Sequence, residues 1–134
     1  MMTSVMPSNL QVVKSSELIG LTLDWAVATC EGKIISIWGN TIEVKDRYSF
    51  EDGYKFSPST NREQGGRIID REKIGTVYYP DMNCVTGEIL PRWVGYVGYD
   101  VVHSAPGPTR LIAAMRCYVA SKMGNDVEVP EELK

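Results

Sequence analysis

Apolar residues along the chain follow two rhythms, one of helical and one of strand period, and the switches between them outline the fold. Leu10, Val12 and Val13 within Leu10–Lys14 predict a short strand. Ser15 and Ser16 then offer capping hydroxyls, and a helix is predicted over 17–31, stopped by Gly32. Leu18, Leu21, Trp25 and Ala28 form one stripe, which Leu23, Val27 and Cys30 widen until the helix reads as buried. Gly20 costs about 1 kcal/mol against Ala in such a pattern, so Leu21 is an alternative start. Over 33–44, β-branched and aromatic residues divided by Gly39-Asn40 predict two antiparallel strands.

The stretch 46–67 is polar and turn-rich, with Asp52-Gly53, Ser57-Pro58 and Gly65-Gly66, and from Phe56 onward it shows neither period. A loop of that length in a small domain is usually functional or disordered. A short helix carrying Ile68, Ile69 and Glu72 is expected to start after Gly66 and end by Gly75, with Arg67, Asp70, Arg71 and Lys73 facing water. Strands are expected over 76–79 and 92–102, joined through 80–91, with Gly95 and Gly98 marking bulges or close backbone approach.

The clearest pattern comes last. Leu111, Ile112, Met115, Tyr118, Val119 and Met123 share one helical face, Thr109 is the expected N-cap and Gly124 closes the helix. Ala113, Ala114, Cys117 and Ala120 make the other flank small enough for a neighbouring helix or sheet to approach closely, and the first helix, over 21–31, is the expected one. The elements sum to an α+β fold: a small, mostly antiparallel sheet packed against two main helices, with one short extra helix after a long loop.

Composition narrows the class. A chain of 134 residues with 43% hydrophobic side chains suits a single domain, 1–134, with 1–9 a flexible lead-in and 130–134 a flexible tail. With 14 Lys and Arg against 17 Asp and Glu, the net charge of -3 gives no general attraction to nucleic acid or an anionic membrane. Cys30, Cys84 and Cys117 are odd in number and widely spaced, which argues against a disulfide framework and a thiolate zinc site. The first residues lack a basic start and a continuous apolar run, so no signal peptide is expected. No later run reaches the roughly 18 apolar residues of a membrane span, and a cytoplasmic protein is expected.

Three ordered blocks carry a family resemblance: Leu23-Asp24-Trp25-Ala26-Val27-Ala28; Phe56-Ser57-Pro58-Ser59-Thr60 followed by Gln64-Gly65-Gly66 and Ile68-Ile69-Asp70-Arg71-Glu72; and Gly107-Pro108-Thr109 leading into the segment from Leu111 to Lys122. Together they resemble the NinX-like accessory proteins of lambdoid phages, a domain family of unknown function, over most of the chain from about Val13 to Leu133. The resemblance implies a phage or prophage gene product in the host cell cytoplasm, and it brings no catalytic residue. The sequence departs from the family pattern at Arg62, where tryptophan is usual, and at Arg67 and Arg110, where proline is usual.

Candidate chemistry is sparse. A single histidine, His103, forbids a multi-histidine metal site, and no sequence feature sets a cysteine beside it. Asp70 and Glu72, two apart on a helix, do not share a face, and Glu51-Asp52 are adjacent. Asp24, next to Trp25 on a buried helix, needs a hydrogen-bond partner, and the long loop is the expected source. Phosphate-binding motifs of the Gly-rich kind are missing. Yet Ser57, Ser59, Thr60, Gln64, Gly65 and Gly66, with Arg62 and Arg67, gather hydroxyls, an amide and cations ahead of an expected helix N-terminus, a combination that suits an anion.

Three readings follow. One is a non-catalytic binding module for a small anionic or nucleotide-like ligand at the 57–67 loop, supported by Asp24 and Trp25, with no metal and no cofactor. Another is an interaction factor that docks on a host or phage enzyme through aromatics such as Tyr78, Tyr79, Trp93, Tyr96 and Tyr99. An enzyme ranks last, because no nucleophile, base and orienting partner assemble from named residues. Nucleic-acid binding is not expected, since 92–99 mixes aromatics with a single arginine.

Overall fold

The computed structural model describes residues 10–47, 52–98 and 100–133. Glu51, Tyr99, the 1–9 lead-in and the side chain of His103, named above as candidates, lie outside the described residues. The chain runs β1 (Leu10–Lys14), a 3-10 turn (Ser15–Glu17), α1 (Gly20–Cys30), β2 (Ile34–Trp38), β3 (Thr41–Lys45), β4 (Tyr54–Lys55) and α2 (Arg62–Glu72). It continues through β5 (Ile74–Tyr78), β6 (Asp81–Met82), β7 (Ile89–Leu90), β8 (Trp93–Val97), β9 (Asp100–Gly107), α3 (Arg110–Met123), β10 (Asp126–Pro130) and a closing 3-10 turn (Glu131–Leu133). The strands form small antiparallel sheets, β2-β3-β4 and β5-β8-β9, with the pairs β1-β10 and β6-β7, so the fold is α+β.

α3 is the centre of the core. Residues from Ile112 to Ala120 are buried on every face, because the β5-β8-β9 sheet packs on one side and α1 and α2 pack on the others. The sheet takes the small flank that the sequence assigned to the first helix. A Cβ added at Gly95 would lie 2.7 Å from the Ala113 carbonyl oxygen and 3.1 Å from the Cys117 Cβ, and one at Gly107 would lie 2.7 Å from the Ala113 nitrogen. Glycine on β8 and β9 therefore lets strand backbone touch helix backbone, and the β8-β9 register slips between Gly95 and Val97.

The first helix needs the same kind of correction. Ser15 and Ser16 belong to the 3-10 turn rather than to a cap, and α1 begins at Gly20, whose φ is +61°, next to the alternative start at Leu21. The Thr22 hydroxyl donates to the Ile19 carbonyl at 2.7 Å and so holds the entry. Gly32, with φ +70°, follows the helix end as expected.

α2 differs most from expectation, because it starts at Arg62 and contains Gly65-Gly66 instead of following them. Asn61 Oδ1 accepts from the N–H groups of Glu63 (2.9 Å) and Gln64 (3.0 Å), and Glu63 pairs with Arg67 one turn on at 2.8 Å. An N-cap contributes about 1 kcal/mol, which with the pair and tertiary packing offsets two interior glycines at about 1 kcal/mol each. The helix ends at Lys73, which adopts φ +59°, and Gly75 lies within β5 beneath the Tyr96 ring.

The 80–91 connection is itself paired. Tyr79 N–H donates to the Arg92 carbonyl (2.7 Å), β6 pairs β7, and Asn83 closes the tip by accepting from Val85 and Thr86. The β5-β8 hairpin thus extends as a two-stranded arm whose Tyr79, Met82, Val85, Ile89 and Leu90 are exposed. At the far end, Pro130 pairs with Leu10 and Leu133 is buried, in the segment expected as a tail.

Candidate functional site

Two concavities lie on opposite sides of α2. The larger, of about 1010 Å³, is walled by the 59–60 turn, by Arg62, Gly66 and Ile69 of α2, by Ile74, Gly75 and Thr76 of β5, by Trp93 and Tyr96 of β8, and by the start of α3. Gly65 fixes the meeting of the turn with α3: a Cβ there would fall 2.4 Å from the Pro58 carbonyl oxygen and 2.7 Å from Leu111 Cδ2. Only hydrogen fits, which brings the turn against the first turn of α3.

Two cations from distant parts of the sequence share this cleft, Arg62 at the start of α2 and Arg110 at the start of α3. Arg110 Nε donates to Thr76 Oγ1 at 3.0 Å, and its guanidinium lies 5.4 Å from the Trp93 ring centroid. Trp93 is braced in turn by Tyr78, with ring centroids 5.1 Å apart. Thr109 Oγ1 accepts from the Ile112 N–H at 3.1 Å. The earlier N–H groups of a helix have no partner within it and carry the positive end of its dipole, and the residues of this turn, Thr109 to Ile112, line the cleft.

Beneath the cleft lies Asp24. Its Oδ1 accepts from the Ser59 N–H at 2.9 Å, so the expected tie between the first helix and the loop is present. Burial raises the Asp24 pKa above the ordinary carboxylate value, against the lowering effects of Ser59 and Lys55. The Ser59 hydroxyl faces the same carboxylate and helps to hold its charge, yet completes no hydrogen bond of good geometry.

The smaller concavity, of about 440 Å³, is lined by Gln64, Arg67 and Arg71 of α2 with Glu31, Lys33 and Tyr54. Its charges are already matched. Arg71 Nη2 contacts Glu31 Oε2 at 2.5 Å, Arg71 Nε contacts Glu72 at 2.9 Å, and the Tyr118 hydroxyl donates to Glu31. Burial would raise Glu31, but these hydrogen bonds from Arg71 and Tyr118 hold it below the usual carboxylate range. Burial, with the Glu31 charge alongside, pushes the Cys30 thiol up to about 12.

The sequence-predicted residues therefore separate. Ser59, Thr60 and Gly66 line the large cleft, while Gln64 and Arg67 line the small one. Ser57 serves the turn: its N–H donates to Gln64 Oε1 (2.7 Å) and its carbonyl accepts from Thr60 and Asn61. Gly65 is a packing position, and Trp25 sits half-buried against the core. Of the three arginines noted as departures, Arg62 and Arg110 reach the large cleft. Sequence reasoning missed Thr76 and Arg110 as cleft residues. One signal pointed to Arg110: a cation in a first helical turn opposes the helix dipole, so its presence calls for a reason.

No helix among the described residues is long and apolar enough to cross a membrane, and none of their His, Cys, Asp and Glu side chains group as a metal site. The family model described as Bacteriophage P22, NinX matches residues 14–122, a span from the end of β1 to the last turn of α3. No curated protein matches the chain.

Proposed function

The chain belongs to the NinX family of phage proteins, accessory proteins of unknown molecular function, and we propose that it is a non-catalytic module that captures a small anionic or nucleotide-like ligand in the host cytoplasm. The ligand occupies the large cleft, to which the 57–67 segment contributes Ser59, Thr60, Arg62 and Gly66. One observation carries the reading: Arg62 and Arg110, 48 positions apart in sequence, converge with Trp93 and Tyr96 on a single cleft of about 1010 Å³. Ligand pockets of small molecules span about 300–1,000 Å³ and combine an apolar lining with a few placed polar groups, and this lining has that make-up.

The test is calorimetric titration with nucleoside monophosphates and inorganic phosphate, at low and high salt. Binding by the wild type that is weakened at least tenfold in Arg62→Ala, and little changed in Arg67→Ala on the opposite side of α2, supports the cleft. Affinity that follows Arg67 instead moves the ligand to the small concavity.

A second reading, docking on a host or phage protein, is favoured by the arm, where Val85 is 94% exposed and Tyr79, Met82, Ile89 and Leu90 stand open beside it. Crosslinking from the arm tip in infected cells that recovers one stoichiometric protein would favour that reading over small-ligand capture.

A further inference from the structure

Arg110 is held on two sides. Its Nε donates to Thr76 Oγ1 at 3.0 Å, and its guanidinium carbon stands over the Trp93 ring, 5.4 Å from the centroid. It pairs with no carboxylate among the described residues, unlike Arg67 with Glu63 and Arg71 with Glu31 and Glu72. A guanidinium tied at Nε and held over an aromatic ring presents its remaining edge, two terminal nitrogens side by side, in a restricted orientation. That edge matches two oxygens of one anionic group.

We infer that Arg110 orients the ligand of this cleft, its terminal nitrogens forming a fork for two oxygens of one phosphate or carboxylate, with Thr76 and Trp93 as the residues that position it. The inference rests on the binding-module reading and gives the aromatic wall a division of labour. Trp93, with the Arg110 guanidinium 5.4 Å from its ring centroid, is the platform for that cation. Tyr96, 41% exposed and lying across Gly75, is the aromatic surface left for a ring carried by the ligand. The ligand class is therefore a ring with one terminal oxyanion, held at the α3 end of the cleft by that oxyanion.

A lysine at this position keeps the charge and loses the fork, which separates geometry from simple attraction. The probes are inorganic phosphate, phenyl phosphate and benzoate, titrated into wild type, Arg110→Lys, Arg110→Ala and Thr76→Val, with thermal midpoints recorded for each. We expect wild type to bind phenyl phosphate or benzoate more tightly than inorganic phosphate, the preferred one identifying the oxyanion. Arg110→Lys should lose at least tenfold, close to the loss in Arg110→Ala, at an unchanged midpoint. Thr76→Val should lose severalfold while the Arg110 Nε–H signal in nitrogen-proton spectra loses its protection from exchange. Arg110→Lys binding as tightly as wild type would overturn the fork, and so would Thr76→Val that loses Nε protection without losing affinity. Arg62→Ala abolishing binding while both Arg110 variants retain it would leave the cleft reading standing and refute this one. Failure of every probe to bind wild type would refute both.

Discussion

The backbone N–H of Ser59 donates to Asp24 Oδ1 at 2.9 Å, and this buried bond links α1 to the turn that walls the larger cleft. Removing the acceptor leaves a buried N–H unpaired, at a cost of about 1–3 kcal/mol. Asp24→Ala should lose stability on that scale in urea unfolding, whereas Asp24→Asn, which retains an oxygen acceptor, should keep the fold.

The same residue sets a pH dependence. The Asp24 pKa is raised by burial in the folded state, so the folded protein binds its proton more tightly than the unfolded chain does. Its contribution is fully favourable below the unfolded value and declines as pH rises through the folded one. Asp24→Asn should therefore gain stability relative to wild type on going from acid to neutral pH, read as a widening gap in urea midpoints. A gap independent of pH would show that the carboxyl does not titrate with folding.

Glu31 carries the opposite sign. Its pKa is lowered by Arg71 and Tyr118 despite burial, so its contribution is present above the unfolded value and is lost as pH falls through the folded one. Tyr118→Phe removes one hydrogen bond to a charged acceptor, worth about 1.5–3 kcal/mol. The variant should be less stable at neutral pH, and acid should narrow its difference from wild type.

Adjacent glycines in α2 should respond in opposite directions. Gly65→Ala drives a methyl into the Pro58 carbonyl and Leu111, and should cost about 1–3 kcal/mol. At Gly66 nothing lies within 4 Å of the added Cβ, so Gly66→Ala should stabilise by up to about 1 kcal/mol. Thermal midpoints moving the same way in both variants would contradict the packing described for this helix.

Thiol chemistry should distinguish the cysteines. Cys84 is exposed on the arm, Cys30 is half-buried with its thiol pushed up to about 12, and Cys117 is buried. A neutral thiol reagent should modify Cys84 in the native protein and reach the other two only on unfolding, as peptide mass mapping would reveal.

Where local chemistry decided the structure, the sequence was readable. Thr109 and Gly124 bounded α3, Gly39-Asn40 divided β2 from β3, and Leu10–Lys14 formed a strand, because caps, turns and period act within a few residues. Legibility failed where tertiary space decided. Gly65-Gly66 read as a turn, since nothing local reveals that Pro58 and Leu111 leave no room for a side chain at Gly65. The pairing of Asp81–Met82 with Ile89–Leu90 was hidden in short segments flanked by Pro80 and Pro91. Ser59, Thr60 and Gly66 could be picked out by residue type, but their convergence with Trp93, Tyr96 and Arg110 depends on the β5-β8 pairing and on α3 crossing behind it.

The pairing of β1 with β10 joins Leu10 to Pro130 and Lys14 to Asp126, residues separated by almost the whole described chain. Closing a loop of that size carries an entropy cost that grows slowly but steadily with length, while the β5-β8-β9 and α3 contacts close much shorter ones. The strand pair should consequently form late in folding and open early. In hydrogen exchange, amides of β1 and β10 should lose protection while those of α3 are still fully protected, making this pair a clasp that closes last and seats Val127 and Val129 in the core.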